Sequence, residues 1–375
     1  MDKPVLKHIV ISAVNIRRGG TLTVLRDCLR YLSSCGEYDV TAIVHDKSLC
    51  LYEGINYIEI PWSVKGWLRR LWCEYVTMER LSGKMPPVDL WFSLHDTTPR
   101  VHAKKHAVYC HTSFPFLKVH LRDFFMNPKI VMFSLFTKYA YRIGVGKNDY
   151  LVVQQEWFRK GLAGLTGFPE ERIIVSPPAF KSLPLEDMAD KEDRPIFFYP
   201  SGPDCHKNFE TLLKASEIAE NTVGKDKFKV VITLSGAENR YACWLYKKWG
   251  HLSSVDFHGY MDKEELCSYY SRAACLVFPS RVETWGLPIS EFKVTGRPMI
   301  LADLPYAHET SAGAGKVAFF NFGSPEQLAD LMIDILRRNF INFDPKLPKT
   351  PRPPFCESWK ALFDLLISDE STSAR

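Results

Sequence analysis

Short apolar runs alternate with amphipathic stretches along this chain, and the alternation predicts its elements. Lys7–Ser12 is an apolar run of the kind buried in a parallel strand. A helix is expected from about Thr21 to Ser33, then strands at Asp39–Val44, Tyr57–Ile60, Leu90–Ser93, Ala107–Cys110 and Tyr150–Val153, with helical patterns between them. The rhythm breaks at Pro177–Pro195, where prolines and the charged run Glu186–Arg194 read as a linker. It then restarts. Strands are expected at Ile196–Tyr199, Lys229–Leu234, Ser254–Phe257, Ala274–Phe278 and Met299–Ala302, and helices at Phe209–Glu220, Lys263–Arg272, Ile289–Thr295 and Pro325–Arg338. Strand–helix alternation of this sort builds open parallel sheets covered by helices. The expectation is therefore two doubly wound α/β domains, residues 1–185 and 186–345. A proline-rich tail, 346–375, carries a helix near Glu357–Ile367 that packs back on the first domain. Ligands of such sheets bind at the carboxyl ends of the strands, here in the cleft between the domains.

Composition narrows the classes. The chain has 375 residues, 46% hydrophobic and 24% charged, which suits a folded protein with large cores. A net charge of +5 is too mild to point to nucleic acid. Ten scattered cysteines with no C-x-x-C pair read as reduced thiols in a cytoplasmic protein. The N-terminus leads straight into a strand without an apolar signal segment, and no run of about 18 uncharged apolar residues predicts a membrane span. There is no G-x-G-x-x-G, no P-loop, and no cluster at metal-ligand spacing, so neither a cofactor nor a catalytic metal is expected.

The chemistry concentrates in Phe278–Glu291. A buried strand runs into a loop carrying Glu283, then Trp285-Gly286-Leu287, and a helix is expected to start near Pro288 with Glu291 in its first turn. Proline is tolerated there because its missing N–H would be unpaired anyway. Gly286 permits close approach of a ligand. Anions are drawn to the free N–H groups of a helix start. The same residues also fit an ordinary strand–loop–helix with two surface acids. Upstream, Phe198–Glu210 is a strand, a Gly/Pro loop and then Lys207 just before a helix. A cation there would neutralise phosphate, or simply be solvated. Gly19-Gly20 opens the first helix and serves either as a phosphate cradle or as a tight turn. His111 stands at the end of a strand, where a ligand-facing and a structural histidine are equally consistent.

The second half resembles the retaining family 4 glycosyltransferases of the GT-B fold. Lys207-Asn208, Phe257–Tyr260, Lys263–Leu266, Phe278–Ser280, the E-x7-E pair Glu283 and Glu291, Gly296-Arg297-Pro298, Asp303-Leu304-Pro305 and Glu309 carry the resemblance in order. It implies two Rossmann-like domains facing across a cleft. It also implies metal-independent transfer of a hexose from a UDP- or GDP-linked sugar to a saccharide hydroxyl. The implied roles fall on matching residues. Lys207 would bind the diphosphate, Glu291 the ribose and Glu283 the donor sugar. The backbone of Trp285, Gly286 and Leu287 would face sugar and diphosphate, and Gly259, Tyr260 and Met261 would flank the base. Gly19 and Gly20 would approach the phosphate from the other domain, and His111 would lie near the sugar. One departure stands out. The family's basic residue before the lysine falls near Ser201, which is neutral, so neutralisation of the diphosphate would lean on Lys207, on helix N-termini and on Arg17, Arg18 or His206. Such enzymes commonly build bacterial O-antigen or capsule on lipid-linked saccharides at the inner face of the cytoplasmic membrane. Two cationic, aromatic stretches, Trp62–Trp72 and Leu121–Arg142, suit membrane contact and equally suit packed helices. A non-catalytic nucleotide-sugar or glycan-binding protein, and a nucleotide-sugar epimerase, are the competing classes.

Overall fold

A computed structural model describes residues 6–179 and 192–368. The expected boundary at 185/186 and most of the expected linker lie outside the described residues. The chain divides into two compact units. One holds Met1–Pro115, Phe136–Ala179 and Pro351–Arg375; the other holds Phe116–Leu135 and Phe180–Thr350.

The first unit contains β1 (Lys7–Ala13), β2 (Tyr38–Val44), β3 (Ile55–Glu59), β4 (Leu90–Ser93), β5 (Lys105–Tyr109), β6 (Tyr150–Val153) and β7 (Ile173–Val175). They pair in the order β3-β2-β1-β4-β5-β6-β7, every pair parallel. Residues Ile9, Ile11 and Ala13 of β1, Phe92 of β4 and Leu25 and Leu29 of the helix Gly19–Cys35 share one core. The tail completes it. The helix Trp359–Ile367 buries Leu362, Phe363 and Leu366 there, with the Phe363 ring 5.8 Å from Tyr31 and 5.9 Å from Phe92.

The second unit contains β8 (Ile196–Tyr199), β9 (Lys229–Ile232), β10 (Val255–Phe257), β11 (Cys275–Phe278), β12 (Met299–Ala302) and β13 (Val317–Phe320). Their order is β10-β9-β8-β11-β12-β13, again all parallel. β7 and β13 are additions to the strands expected from the sequence. Both are short edge strands whose pairing comes from the neighbour rather than from a long apolar run. Chain order reverses between β1 and β4 in one sheet and between β8 and β11 in the other. These are the switch points where α/β sheets open a crevice at the strands' carboxyl ends.

Candidate functional site

At the switch point of the second unit, two loops leave adjacent strands and are tied together by side chains. The β8 loop turns at Asn208, whose φ of 59° is left-handed. Its side-chain amide donates to the carbonyls of Pro279 (3.1 Å) and Phe322 (2.8 Å), fastening the β8 loop to the β11 loop. The hydroxyl of Tyr199 donates to the carbonyl of Lys207 at 2.8 Å, and that of Tyr306 to the carbonyl of Ser280 at 2.7 Å. Buried donors aimed at loop carbonyls hold irregular backbone as firmly as a strand would.

This scaffold brings Lys207 against Glu283. Nζ lies 2.5 Å from Oε1, and the Ser280 hydroxyl donates to the same oxygen at 2.7 Å. The two side chains are only 18% and 15% exposed, so the pair is shielded yet reachable. The sequence placed the lysine on a diphosphate and the carboxylate on a sugar. The structure shows that they first hold one another. Gly286 follows with φ 82°, and a Cβ there would come 3.2 Å from Ile289 and 3.5 Å from Phe278. Two separate constraints, positive φ and close packing, thus require glycine. The Trp285 indole donates back to Ser290 at 2.9 Å, so its N–H is directed to the helix and not outward. The helix runs Leu287–Lys293. It begins earlier than expected, because the left-handed Gly286 starts it directly. Glu291 therefore falls in the second turn, not the first.

Glu291 accepts a hydrogen bond from the buried Tyr270 hydroxyl at 2.6 Å. Burial raises its carboxyl above the ordinary value, partly offset by Tyr270 and by nearby Lys263. Gly259 has φ 95°, which turns the chain so that Tyr260 stands 89% exposed while Met261 packs inward. Tyr260 is thus available to a ligand, and Met261 is chiefly a core residue.

The neutral position at Ser201 is held by backbone pairing. Its N–H donates to the Thr233 hydroxyl at 2.7 Å, and that hydroxyl donates to its carbonyl at 2.8 Å. His206 does not replace the missing charge. It is buried, and burial first, then the Lys207 and Arg281 cations, push its pKa well below the ordinary imidazole range. It is neutral at pH 7, contrary to its expected role. Arg281, which the sequence reading passed over, directs Nη2 to both oxygens of Asp123 (2.9 and 3.0 Å) and to the carbonyl of Cys205.

In the first unit, Gly19, Gly20 and Asp96 follow the switch-point strands β1 and β4, and His111 follows the neighbouring β5. Gly19 takes φ 71° with open space around it and begins the helix. Arg18 precedes it as an exposed residue, and Arg17 donates to the carbonyl of Val64 at 2.6 Å. His111 stacks on Tyr109 at 4.5 Å, and neither ring nitrogen has a hydrogen-bond partner among the described residues. Burial lowers its pKa to about 4, so it is a neutral donor or acceptor at pH 7. Its position is set by Asp96, a second residue the sequence reading missed. With φ 70°, Asp96 accepts from the backbone N–H groups of His111 (2.5 Å) and Thr112 (3.0 Å) and from the hydroxyls of Thr112 (2.8 Å) and Tyr141 (2.9 Å). The available signal was an acid just past β4, where the sheet order switches. Among the described residues, no group of three His, Cys, Asp or Glu side chains is placed to hold a metal ion.

Comparison with solved structures decides the architecture. HepE of Anabaena, solved with UDP and glucose, superposes with a TM-score of 0.64 over 90% of this chain and 92% of its own, at 12% identity. The lipopolysaccharide outer core galactosyltransferase WaaB gives 0.61 over 89% and 91%, also at 12%. The fold is GT-B. WaaG, a glycosyltransferase of lipopolysaccharide biosynthesis, gives 0.60 over 88% and 90% at 14% identity. Within this GT-B chain, residues 186–349 match the family model described as glycosyl transferases group 1. That match contains the Lys207–Glu283 pair and Glu291. A curated relative, the O-antigen chain mannosyltransferase RfbU of Salmonella typhimurium, is 24% identical over 216 residues, 55% of this chain. The aligned stretch spans 58% of that relative's length, under two thirds.

Proposed function

We propose that this GT-B chain is a retaining glycosyltransferase. It moves a hexose from a UDP- or GDP-linked sugar to a hydroxyl of a saccharide acceptor during surface polysaccharide assembly. The observation that carries the reading is the Lys207–Glu283 pair at the β8/β11 switch point. An incoming diphosphate competes with Glu283 for the lysine. The freed carboxylate becomes an acceptor for sugar hydroxyls, and Glu291, in the second turn of the helix that follows, accepts from the ribose. In the reaction, the anomeric carbon–phosphate oxygen bond breaks as the acceptor oxygen bonds the same face of the sugar. The acceptor's proton passes to the departing diphosphate, so no protein nucleophile is needed. Negative charge grows on the diphosphate, and the preorganised lysine meets it. The names of the relatives support the class: a mannosyltransferase of O-antigen, and a structure holding UDP and glucose.

The test is a donor screen. UDP- and GDP-sugars are incubated with and without saccharide acceptor, and nucleoside diphosphate release is measured. Release that depends on acceptor, with the anomeric configuration retained by NMR, is the expected result. The neutral Ser201 and His206 favour a second reading, a nucleotide-sugar-binding protein without turnover, and binding with no release would select it. Epimerised donor without transfer would overturn both.

Glu291 gives a pH test. Its raised carboxyl protonates at a higher pH than an ordinary glutamate, and the protonated form is a poorer acceptor for ribose hydroxyls. Affinity for the nucleoside diphosphate, read by calorimetry, should fall as pH drops through this raised pKa. The fall should vanish in Glu291→Gln, which should bind weakly throughout. Unchanged pH dependence in the variant would remove Glu291 from the site.

The acceptor is proposed to be lipid-linked and reached from a membrane surface. The helix Trp67–Trp72 leaves Trp67, Leu68 and Trp72 exposed, Leu68 at 83%, beside Arg69 and Arg70. Leu121, Phe125, Met132 and Phe136 are exposed likewise on the helices Leu121–Met126 and Pro128–Arg142. Exposed apolar side chains mixed with basic ones are the surface of an interfacial contact. Among the described residues no helix is long and apolar enough to cross a membrane. The protein should float with phosphatidylglycerol vesicles at low salt, and Trp67→Ser with Trp72→Ser should reduce flotation severalfold. Equal behaviour on neutral and anionic vesicles, or none on either, would count against it.

A further inference from the structure

The second unit holds a cavity of about 400 Å³ that none of Lys207, Glu283, Gly286 or Glu291 lines. Two indoles form part of its wall. Trp244 and Trp249 meet nearly at right angles, with ring centroids 5.5 Å apart. Around them stand four cations, Arg122, Lys214, Lys248 and Arg281, against one carboxylate, Glu210.

Three of these cations have carboxylate partners, Arg122 in Glu210, Arg281 in Asp123 and Lys214 in Glu326, and among the described residues Lys248 has none. Glu210 is already engaged by Arg122 and by the Tyr241 hydroxyl. Lys248 lies 4.4 Å from the centre of the Trp249 ring and 5.7 Å from that of Trp244, with no carboxylate within ion-pair distance among the described residues. Lys214 reaches Glu326 only at 3.7 Å. Arg281 is 9% exposed, and although Nη2 is bonded to Asp123, its Nε and Nη1 have no hydrogen-bond partner. Buried guanidinium donors are normally satisfied, and the natural acceptor for them is a carboxylate or phosphate.

Arg122 also lies over an indole, 5.3 Å from the centre of the Trp244 ring, so cations and indoles form one wall, and an anion alone would not need two indoles in it. The face of an indole carries negative quadrupole charge and attracts the polarised C–H groups of a sugar ring. Because the two rings are perpendicular, they form a corner, which fits a puckered ring better than a flat base held between two parallel faces. The volume lies in the range of small-ligand sites. We infer that this cavity is a second saccharide site, separate from the donor cluster. It takes a sugar that bears a carboxylate or a phosphate, with the ring on the indoles and the anion toward Lys248, Lys214 and Arg281.

The test titrates the full chain with trigalacturonate, glucose 6-phosphate, maltotriose and inorganic phosphate, read by tryptophan fluorescence and calorimetry. At least one of the two charged sugars should bind, quenching fluorescence, and maltotriose should bind at least about tenfold more weakly, since a charge-assisted hydrogen bond is worth on the order of one decade. Which charged sugar binds distinguishes carboxylate from phosphate as the anion. Lys248→Glu should weaken binding by about tenfold or more, and Trp244→Leu should abolish it. Trp244→Phe, which keeps an aromatic face, should retain partial binding and so separates loss of stacking from loss of fold. Lys207→Ala should bind as the wild type does, whatever its effect on transfer, so this site stands or falls independently of the proposed reaction. The inference is overturned if neither charged sugar binds, if binding survives both Lys248→Glu and Trp244→Leu, or if inorganic phosphate binds as tightly as the sugars.

Discussion

Lys207→Ala should lower kcat/KM for transfer by about 10²–10³-fold, the usual cost of removing one preorganised stabiliser of a charge that grows in the transition state. The structure makes this residue hard to replace. The sequence offers no basic residue at Ser201, and His206 next to the lysine is kept neutral by burial and by the cations around it. The substitution also leaves Glu283 with only the Ser280 hydroxyl of the two groups it now bonds. A carboxylate without its lysine would then repel the incoming diphosphate, so KM should rise as kcat falls. Lys207→Arg should recover part of the rate, because a guanidinium keeps the charge but not the compact ammonium geometry. Initial rates with the donor selected by the screen, together with thermal melts to show that the fold is intact, decide the matter. Near wild-type transfer by a folded Lys207→Ala protein would sink the mechanism.

Asp123→Ala should destabilise the second unit by about 3–5 kcal/mol, because it breaks a buried ion pair and leaves the other charge in place. The side chains of Arg281 and Asp123 are 5% and 2% exposed. Asp123 also accepts from the backbone N–H of His120 at 2.9 Å, which caps the helix Leu121–Met126, so its loss frees that terminus as well. Urea unfolding measures the change directly. The double variant Asp123→Ala with Arg281→Met should recover much of the loss, since removing both charges leaves no unpaired ion. If Asp123→Ala costs less than about 1 kcal/mol, the pair is no more than a surface contact in solution.

Much of the fold was legible because it repeats a strong local signal. Buried parallel strands such as Ile196–Tyr199 and Met299–Ala302 are apolar on both faces, and their limits in the structure coincide with the apolar runs. The edge strands β7 and β13 were not legible. Each is three or four residues long and depends on a partner strand for its hydrogen bonds. The domain content was also blurred by linear reading. The tail helix Trp359–Ile367 packs on the first sheet as expected, but Phe116–Leu135 belongs to the unit that holds β8–β13. Contiguity in sequence carries no information about such exchanges.

The site was legible in its parts and not in its couplings. Lys207, Glu283, Gly286 and Glu291 could each be singled out, since a cation before a helix, a glycine in a tight turn and acids after a buried strand are local features. That Glu283 occupies the lysine, that Glu291 is bonded to Tyr270, and that Asp96 orients the His111 loop are contacts between residues 15 to 76 positions apart. His206 was offered as a substitute for the missing basic residue, yet burial decides its charge. Arg281 was not singled out, yet it is the partner of Asp123 and borders the Trp244 cavity.

The sequence alone therefore determined the two-sheet α/β plan and singled out the loops proposed to carry the chemistry. Hydrophobic period and turn residues act over a few positions, and they are written consecutively in the chain. Only the tertiary structure decided the protonation of His206 and His111, the pairing of Lys207 with Glu283, and the cavity that Trp244 and Trp249 help to line. Each of these depends on how deeply a group is buried and on which charge from a distant segment comes to face it. Desolvation and Coulomb interaction act through space, so they are set only once the chain has folded.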